Sequence, residues 1–150
     1  DRYVGENKND KASGKGIFYF ASGDKYAGEN KNDKANGQGT FTWVNGDKYI
    51  GRWENDKRSG QGKYIHANGK IEKGIWKDNK LNGYAIRYGS DGSILKEGIW
   101  KDDKFLYAQK KSIRTSNPKI EGYKTFCSEI GFTPGTEKFG ECVVEAMKKG

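Results

Sequence analysis

The sequence predicts a mainly β protein with a small α tail, in which an elongated antiparallel sheet of β-hairpin repeats precedes a helical hairpin. A 23-residue pattern recurs through the first two-thirds of the 150 residues, and residues 1–23 match residues 24–46 at 14 positions. Within each repeat bulky and small residues alternate with a period of two, which is typical of strands. Near the C-terminus the apolar spacing changes to three and four residues, which indicates helices.

The composition argues against a thick hydrophobic core. Hydrophobic residues make up 33% of the chain, charged residues 32%, and there are 22 glycines. So polar a chain is ordinarily disordered, but its 4 tryptophans, 9 tyrosines and 7 phenylalanines recur at regular positions, which favours a thin sheet with an aromatic face. The formal net charge of +8 comes from basic residues interleaved with acids, which predicts a solvated surface. No apolar run approaches the roughly 18 residues that span a bilayer, so no transmembrane segment is predicted.

The repeats define the strands and turns of the predicted sheet. In the third repeat Tyr49, Gly51 and Trp53 alternate with Lys48, Ile50 and Arg52, as expected for one strand. Residues 32–37 within a repeat and 45–47 between repeats are rich in Asn, Asp and Gly, which tolerate the positive φ of tight turns. Each repeat is therefore predicted to be a β-hairpin, and about nine strands form one antiparallel meander.

One glycine of each repeat shares a strand face with the large aromatic residues. A strand glycine is destabilising unless a neighbouring ring covers the bare backbone. We therefore expect glycines and aromatic rings to form one packed face that serves in place of a core. The structural glycines predicted on this basis are Gly28, Gly51, Gly74 and Gly98.

The fourth repeat departs from this pattern. Ala85 replaces the second glycine of the Gly-x-Gly pair, and Arg87 stands where Phe41 and Tyr64 stand in the preceding repeats. The change predicts either an altered strand register or a terminal cap, since an end repeat faces solvent on one side.

The string Tyr-x-Gly-(x)8-Gly-x-Gly-(x)6-Gly resembles the MORN repeat, a glycine-rich hairpin unit. The resemblance covers residues 1–107, as about four and a half repeats in register. It implies an elongated, twisted single-layer sheet with an aromatic-lined groove, acting as a scaffold or interaction module and in some proteins linked to membrane lipids. Because Asp1 already lies inside a repeat, we expect further sequence upstream.

A polar, basic linker at residues 108–118 separates the array from residues 119–150, where two short helices are predicted. Cys127 and Cys142, the only cysteines in the sequence, lie on the apolar faces of these helices, so an antiparallel hairpin would bring them together. A disulfide closing this loop would contribute about 3 kcal/mol in the chain-entropy model. The alternative is a pair of reduced, buried thiols in a cytosolic protein.

The string Cys-x3-Gly-Phe-x-Pro-Gly-Thr-x2-Phe-x2-Cys-Val resembles a C-terminal module of small bacterial proteins, many of them exported. The resemblance covers about residues 120–148 and implies no activity. Together with the predicted disulfide it favours a bacterial, exported protein of the periplasm or cell envelope, with a cytoplasmic location as the alternative.

The aromatic residues are the candidate binding face, although inter-repeat packing explains them better. Aromatic rings can stack on sugars, bases or a partner's side chains, but here they are also needed to cover the glycines. Specificity is expected where the repeats differ, at Trp43, His66 and Arg87 and in the tail. The candidate face consists of Tyr26, Trp43, Tyr49, Trp53, Trp76 and Trp100.

These observations predict a non-enzymatic repeat scaffold that mediates protein–protein or envelope and membrane-surface interaction. No catalytic residue, metal site or cofactor is predicted, since the single histidine, His66, lacks the partners of a base or a metal ligand. The alternatives are a binder of anionic ligands, such as acidic lipid headgroups or a polyanion, and an accessory domain of an enzyme beyond this sequence. A protein partner is favoured, followed by peripheral contact with acidic lipid; nucleic acid is disfavoured, and no oligomeric state is indicated.

Overall fold

A computed structural model describes residues 1–111 together with Gly131 and Cys142. The chain divides into two units, Asp1–Lys111 and Ser112–Gly150. Most of the predicted linker, Cys127 and the predicted helical hairpin apart from Gly131 and Cys142 lie outside the described residues. Cys142 is helical and half-buried, and its pairing with Cys127 stays a prediction.

Residues 1–111 form one open antiparallel sheet in which each strand pairs with its neighbours along the chain. The prediction of a mainly β fold built from hairpin repeats is confirmed, with ten strands in place of about nine. The strands are β1 (Arg2–Lys8), β2 (Lys11–Tyr19), β3 (Lys25–Lys31), β4 (Lys34–Thr42), β5 (Lys48–Glu54), β6 (Lys57–Ile65), β7 (Ile71–Lys77), β8 (Lys80–Tyr88), β9 (Ile94–Lys101) and β10 (Lys104–Ala108).

The turn inside each hairpin is shorter than the sequence suggested. Residues 32–37 were expected to form the turn, but only Asn32 and Asp33 do so, with φ values of 51° and 65°, and β4 begins at Lys34. Positive φ at both central residues is the geometry of a type I′ turn, whose twist matches that of the flanking strands. The later glycine of the predicted turn, Gly37, has a φ of 107° and lies within β4.

That glycine position belongs to a bulge that recurs in the first four hairpins. In the third hairpin Gly51 pairs with Gly62 and Trp53 with Arg58, so a single residue of β5 faces three residues of β6. Gly60, in the bulged segment, has a φ of 66°. The shift of two residues keeps side chains on the same face, because strand side chains alternate with a period of two.

Aspartates at the turns also connect successive hairpins. The Asp56 amide donates to the Ala35 carbonyl at 3.0 Å, and Asp56 Oδ1 accepts from the Ala35 amide at 2.7 Å. At the opposite end of the strands Asp47 Oδ1 accepts from the Ala67 amide at 2.8 Å. The turn residues therefore extend the ladder of hydrogen bonds beyond the strands themselves.

A row of glycines crosses the sheet perpendicular to the strands. Gly51 lies opposite Gly62, and a Cβ on Gly51 would approach the Gly62 Cα to 2.5 Å, so the close backbone approach requires glycine. The row consists of Gly5, Gly16, Gly28, Gly39, Gly51, Gly62, Gly74, Ala85, Gly98 and Ala108.

The fourth hairpin keeps the register of the third, so the expected register change is wrong. Gly74 pairs with Ala85 and Glu72 with Arg87, as Gly51 pairs with Gly62 in the third hairpin. The fourth hairpin is also not terminal among residues 1–111, because β9 and β10 form a fifth. A register shift does occur between β8 and β9, where one extra residue is accommodated, matching the single insertion in the sequence.

Candidate functional site

The buried face of the sheet is built from tyrosines lying over the glycine row. A Cβ on Gly62 would lie 2.6 Å from Cε2 of Tyr49, so the Tyr49 ring occupies the space above that glycine. The Tyr49 hydroxyl donates to the Arg52 carbonyl at 3.2 Å, and the whole residue is 0% exposed. Burial raises the pKa of Tyr49 to about 12, since the phenolate would lose its hydration. Tyr26 repeats this arrangement over Gly39, with its hydroxyl 2.7 Å from the Glu29 carbonyl.

Three tryptophans complete the buried face. The indole N–H groups of Trp53, Trp76 and Trp100 donate to backbone carbonyls of the preceding hairpin at 3.1, 3.2 and 3.2 Å. All three are buried, and their polar atoms are already satisfied. Of the six residues of the candidate binding face, the structure therefore places five in the core, and only Trp43 is half-buried.

A second set of rings lies beside this core and remains partly accessible. We call it the aromatic row, and all its members are half-buried. Successive centroids are 6.1, 5.7, 4.5, 5.2 and 4.7 Å apart, so each ring contacts the next across the ends of β2, β4 and β6. The aromatic row consists, in order, of Phe18, Phe20, Phe41, Trp43, Tyr64 and His66.

The aromatic row ends at an ion pair in the fourth repeat. Arg87 donates to Oε1 of Glu72 through Nε at 2.9 Å and Nη2 at 2.5 Å, and His66 Nε2 lies 3.5 Å from Glu72 Oε2. The structure thus brings together His66 and Arg87, two of the positions at which the repeats differ, through Glu72. Trp43, the third such position, contacts Tyr64 in the middle of the row.

A cleft of about 230 Å³ opens beside the aromatic row, between the first and third hairpins. We call it the Ala35 cleft, because the small side chain of Ala35 leaves the space. Its walls are aromatic and its rim carries two carboxylates. The lining residues are Phe18, Phe20, Tyr26, Asp33, Ala35, Phe41, Trp53 and Asp56.

Lysines face each other across four of the five hairpins described, next to the turns. Lys31 pairs with Lys34, and the same arrangement recurs in the first, fourth and fifth hairpins. Like charges directly opposite each other are unfavourable for a sheet, so stability does not account for this edge. We call it the lysine edge; it consists of Lys8, Lys11, Lys31, Lys34, Lys77, Lys80, Lys101 and Lys104, all exposed.

Sequence reasoning missed the aromatic row as a unit. Its members recur with the same 23-residue step as the tyrosines, as Phe18, Phe41 and Tyr64 and, two residues later, as Phe20, Trp43 and His66. That doubled pattern was the available signal. It does not reveal which of two aromatic positions on one face is buried, because burial depends on neighbouring strands.

Among residues 1–111, Gly131 and Cys142, no group of three or more His, Cys, Asp or Glu residues is arranged to hold a metal ion. In the same part of the chain no helix has the length and apolarity needed to cross a membrane.

The repeats seen in the structure also match a known protein family. The sequence model of a family described as MORN repeat matches four successive segments, residues 3–25, 26–48, 49–71 and 73–94. Each matched segment up to residue 71 begins at a tyrosine that covers the glycine row. No curated protein matches the chain.

Proposed function

The chain belongs to the MORN-repeat family, and from that premise we propose that its sheet is a non-enzymatic scaffold that binds a protein partner along the aromatic row. MORN repeats typically serve protein or membrane interaction. The observation that supports a protein partner is the partial exposure of six contiguous aromatic residues beside a core that is already closed. Exposed contiguous apolar surface of this kind marks interaction sites, and aromatic residues are enriched at protein interfaces.

Site-specific photo-crosslinking tests this proposal. A benzophenone amino acid replaces Trp43 in one variant and Ile50 in the control, since Ile50 is 41% exposed and lies outside the aromatic row. After irradiation of cells that produce the full chain, we expect a discrete protein adduct from position 43 and none from position 50. The same adducts from both positions, or none from position 43, would contradict the proposal.

The lysine edge supports a second candidate, the binding of anionic headgroups or a polyanion. Four lysine pairs lie opposite each other although like charges in this position weaken a sheet, and within residues 1–111 none of these lysines forms an ion pair. The pairs of the first and second hairpins, and those of the fourth and fifth, lie about 10 Å apart, while the third hairpin has Glu54 opposite Lys57. An extended anionic surface can contact both groups of pairs.

Vesicle sedimentation tests this second candidate. With vesicles of phosphatidylserine and phosphatidylcholine, we expect binding that falls steeply with added salt and disappears with phosphatidylcholine alone. Substitution of Lys77→Gln with Lys80→Gln should weaken binding. Lys63→Gln with Lys73→Gln, which removes two cross-strand neighbours away from the turns, is the matched control. Equal losses in both variants, or binding that is insensitive to salt, would reject the lysine edge as the site.

We also propose that the protein is exported to the cell envelope, with the cytoplasm as the alternative location. The export proposal depends on the predicted disulfide between Cys127 and Cys142. Thiol titration of the denatured, unreduced chain should find no free cysteine, and the same sample after reduction should give two. Two free thiols before reduction would remove the argument for an oxidising compartment.

A role as an accessory domain of a longer enzyme would be tested by the sequence upstream of Asp1.

A further inference from the structure

The Ala35 cleft has a counterpart in the next repeat, and there a guanidinium fills it. Ala35 and Arg58 occupy equivalent positions 23 residues apart. The Arg58 guanidinium carbon lies 4.8, 5.2 and 5.8 Å from the ring centroids of Trp76, Tyr64 and Tyr49. These distances are those of cation–π contacts.

The filled site also supplies hydrogen-bond acceptors to the cation. Arg58 Nη2 donates to the carbonyl of Asn79 at 2.7 Å, and Nε lies 3.5 Å from Asn79 Oδ1. We call this arrangement the Arg58 cage, formed by Tyr49, Tyr64, Trp76 and Asn79. It satisfies a guanidinium with aromatic faces on one side and backbone and side-chain oxygens on the other.

The residues 23 positions before the members of the Arg58 cage line the Ala35 cleft. The equivalents of its four members are Tyr26, Phe41, Trp53 and Asp56, and all four line the cleft. Asp56 replaces Asn79, so the cleft has a carboxylate at the position where the Arg58 cage has a neutral amide.

In the following repeat an arginine also lies against the equivalent tryptophan. The Arg87 guanidinium lies 4.5 Å from the ring centroid of Trp100. Trp53, Trp76 and Trp100 are equivalent positions, and within residues 1–111 only Trp53 of these three has no cation over its ring. Two of these three tryptophans therefore carry a guanidinium over the ring, from Arg58 in one repeat and from Arg87, at a different repeat position, in the next; in that repeat the buried Leu81 occupies the position equivalent to Arg58.

The two carboxylates at the rim retain capacity for a cation. Asp33 Oδ1 accepts from the Ala12 amide and Asp56 Oδ1 from the Ala35 amide, each at 2.7 Å. Among the described residues, the Oδ2 atom of each aspartate accepts no hydrogen bond. Both carboxylates therefore hold their position through Oδ1 and present Oδ2 as an acceptor for a charged donor.

We propose that the Ala35 cleft is a binding site for an arginine side chain of a partner polypeptide, whose guanidinium takes the position that Arg58 fills in the next repeat. This inference rests on the proposed scaffold function and deepens it by naming the chemistry that the aromatic row recognises. The overall charge of +8 does not oppose it at physiological salt, because charges beyond about 8 Å are largely screened while the two aspartates lie at the site.

A small probe tests the cleft without knowledge of the partner. N-acetyl-arginine methylamide is titrated into the full chain while the indole N–H resonance of Trp53 is followed by NMR. We expect a saturable shift with a Kd on the order of 1 mM, as suits a single side chain. The neutral citrulline analogue should leave the resonance in place. An equal response to citrulline, or to the lysine analogue, would overturn the assignment to a guanidinium.

Three variants sharpen the test. Ala35→Arg fills the cleft with a guanidinium of the protein itself, as Arg58 does in the next repeat. The Trp53 response to the probe should therefore disappear, while the melting temperature should stay equal or rise. Asp56→Asn keeps the Oδ1 acceptor, as Asn79 does, and should weaken probe binding several-fold through loss of charge. Arg58→Ala should open the second cage and make the Trp76 resonance respond. An unchanged titration of Ala35→Arg, or its failure to fold, would contradict the proposal.

The outcome separates this inference from the scaffold function. Crosslinks from position 43 with no probe binding would leave the scaffold standing and remove the arginine site. Probe binding without any crosslink would support the site and remove the proposed partner surface.

Discussion

In the third repeat Tyr49 covers a glycine pair and faces Tyr64 across the strand, whereas in the fourth repeat Glu72 faces Arg87 and an alanine takes the place of the covered glycine. The two repeats share one backbone register. In the third, a ring fills the space above the glycines; in the fourth, the methyl group of Ala85 fills part of it and the ion pair closes the face.

The comparison indicates that one set of residues determines the strand register and another set covers the glycine row. Register follows from the close approach of Gly51 to Gly62, or of Gly74 to Ala85, and from the bulge beside them. The covering side chains need only fill the remaining volume and satisfy their polar atoms. Each solution is self-consistent, so mixing parts of the two should be destabilising.

Gly51→Val attacks the feature that both repeats share. The new Cβ would lie 2.5 Å from the Gly62 Cα and 2.7 Å from the Gln61 carbonyl, and backbone cannot move aside as a side chain can. We expect a loss of about 3 kcal/mol or more in the free energy of unfolding, measured by urea denaturation. Ile50→Val, one residue away and exposed, is the control. An unchanged denaturation midpoint would show that the glycine row does not set the register.

Opposite substitutions at one repeat position should both be destabilising. Gly39→Ala puts a Cβ 2.5 Å from Cε2 of Tyr26, so the ring must shift. Ala85→Gly, at the equivalent position of the fourth repeat, removes a fully buried methyl group that no ring replaces. We expect a loss of about 2 kcal/mol for the first and about 1 kcal/mol for the second. Stabilisation by either substitution would mean that the two repeats do not close their faces as described.

Tyr49→Phe isolates the hydroxyl that the fourth repeat lacks. Loss of its hydrogen bond to the Arg52 carbonyl should lower stability by about 1 kcal/mol at neutral pH. Because the folded pKa of Tyr49 is raised to about 12 from an ordinary value of 10, its contribution is complete below pH 10 and is lost as the pH rises toward 12. Urea denaturation between pH 9 and 12 should therefore show a smaller alkaline loss in Tyr49→Phe. Parallel curves for the two proteins would contradict the burial argument.

Tyr64→Phe tests a contact found in the third repeat and not in the second or fourth. The Tyr64 hydroxyl donates to Asp47 Oδ2 at 2.7 Å, and this bond, with the amide of Ala67, lowers the pKa of Asp47. A lowered carboxyl pKa contributes stability above the ordinary value near 4 that is lost as the pH falls through the folded pKa. We expect the NMR-determined pKa of Asp47 to rise in Tyr64→Phe, with a few tenths of a kcal/mol lost at neutral pH. At the equivalent position one repeat earlier, Asp24 accepts instead from the Ser22 hydroxyl at 2.9 Å, so its resonance should not respond to the substitution and serves as the internal reference.

Much of the sheet followed from periodicity. The 23-residue step, the alternation around Gly51 and the Asn-Asp turns predicted antiparallel hairpins, because each of these signals is local to a few residues. The bulge at Gly60 and the two-residue turn were not predicted, since a glycine with positive φ fits a turn and a bulge equally well. The departure at Ala85 and Arg87 predicted a register change or a terminal cap, and the structure shows neither, because the compensating ion pair with Glu72 joins different strands.

The sequence by itself determined the repeat, the strand order and the residues that share the aromatic face, since all of these depend on spacing along the chain. Only the tertiary structure decided which rings are enclosed and which are accessible: Trp53 is buried, whereas Trp43 is half-exposed on the same face. It also decided that Ala35 leaves a cleft where Arg58 leaves none. Both outcomes depend on side-chain volumes contributed by neighbouring hairpins, which no single stretch of sequence contains.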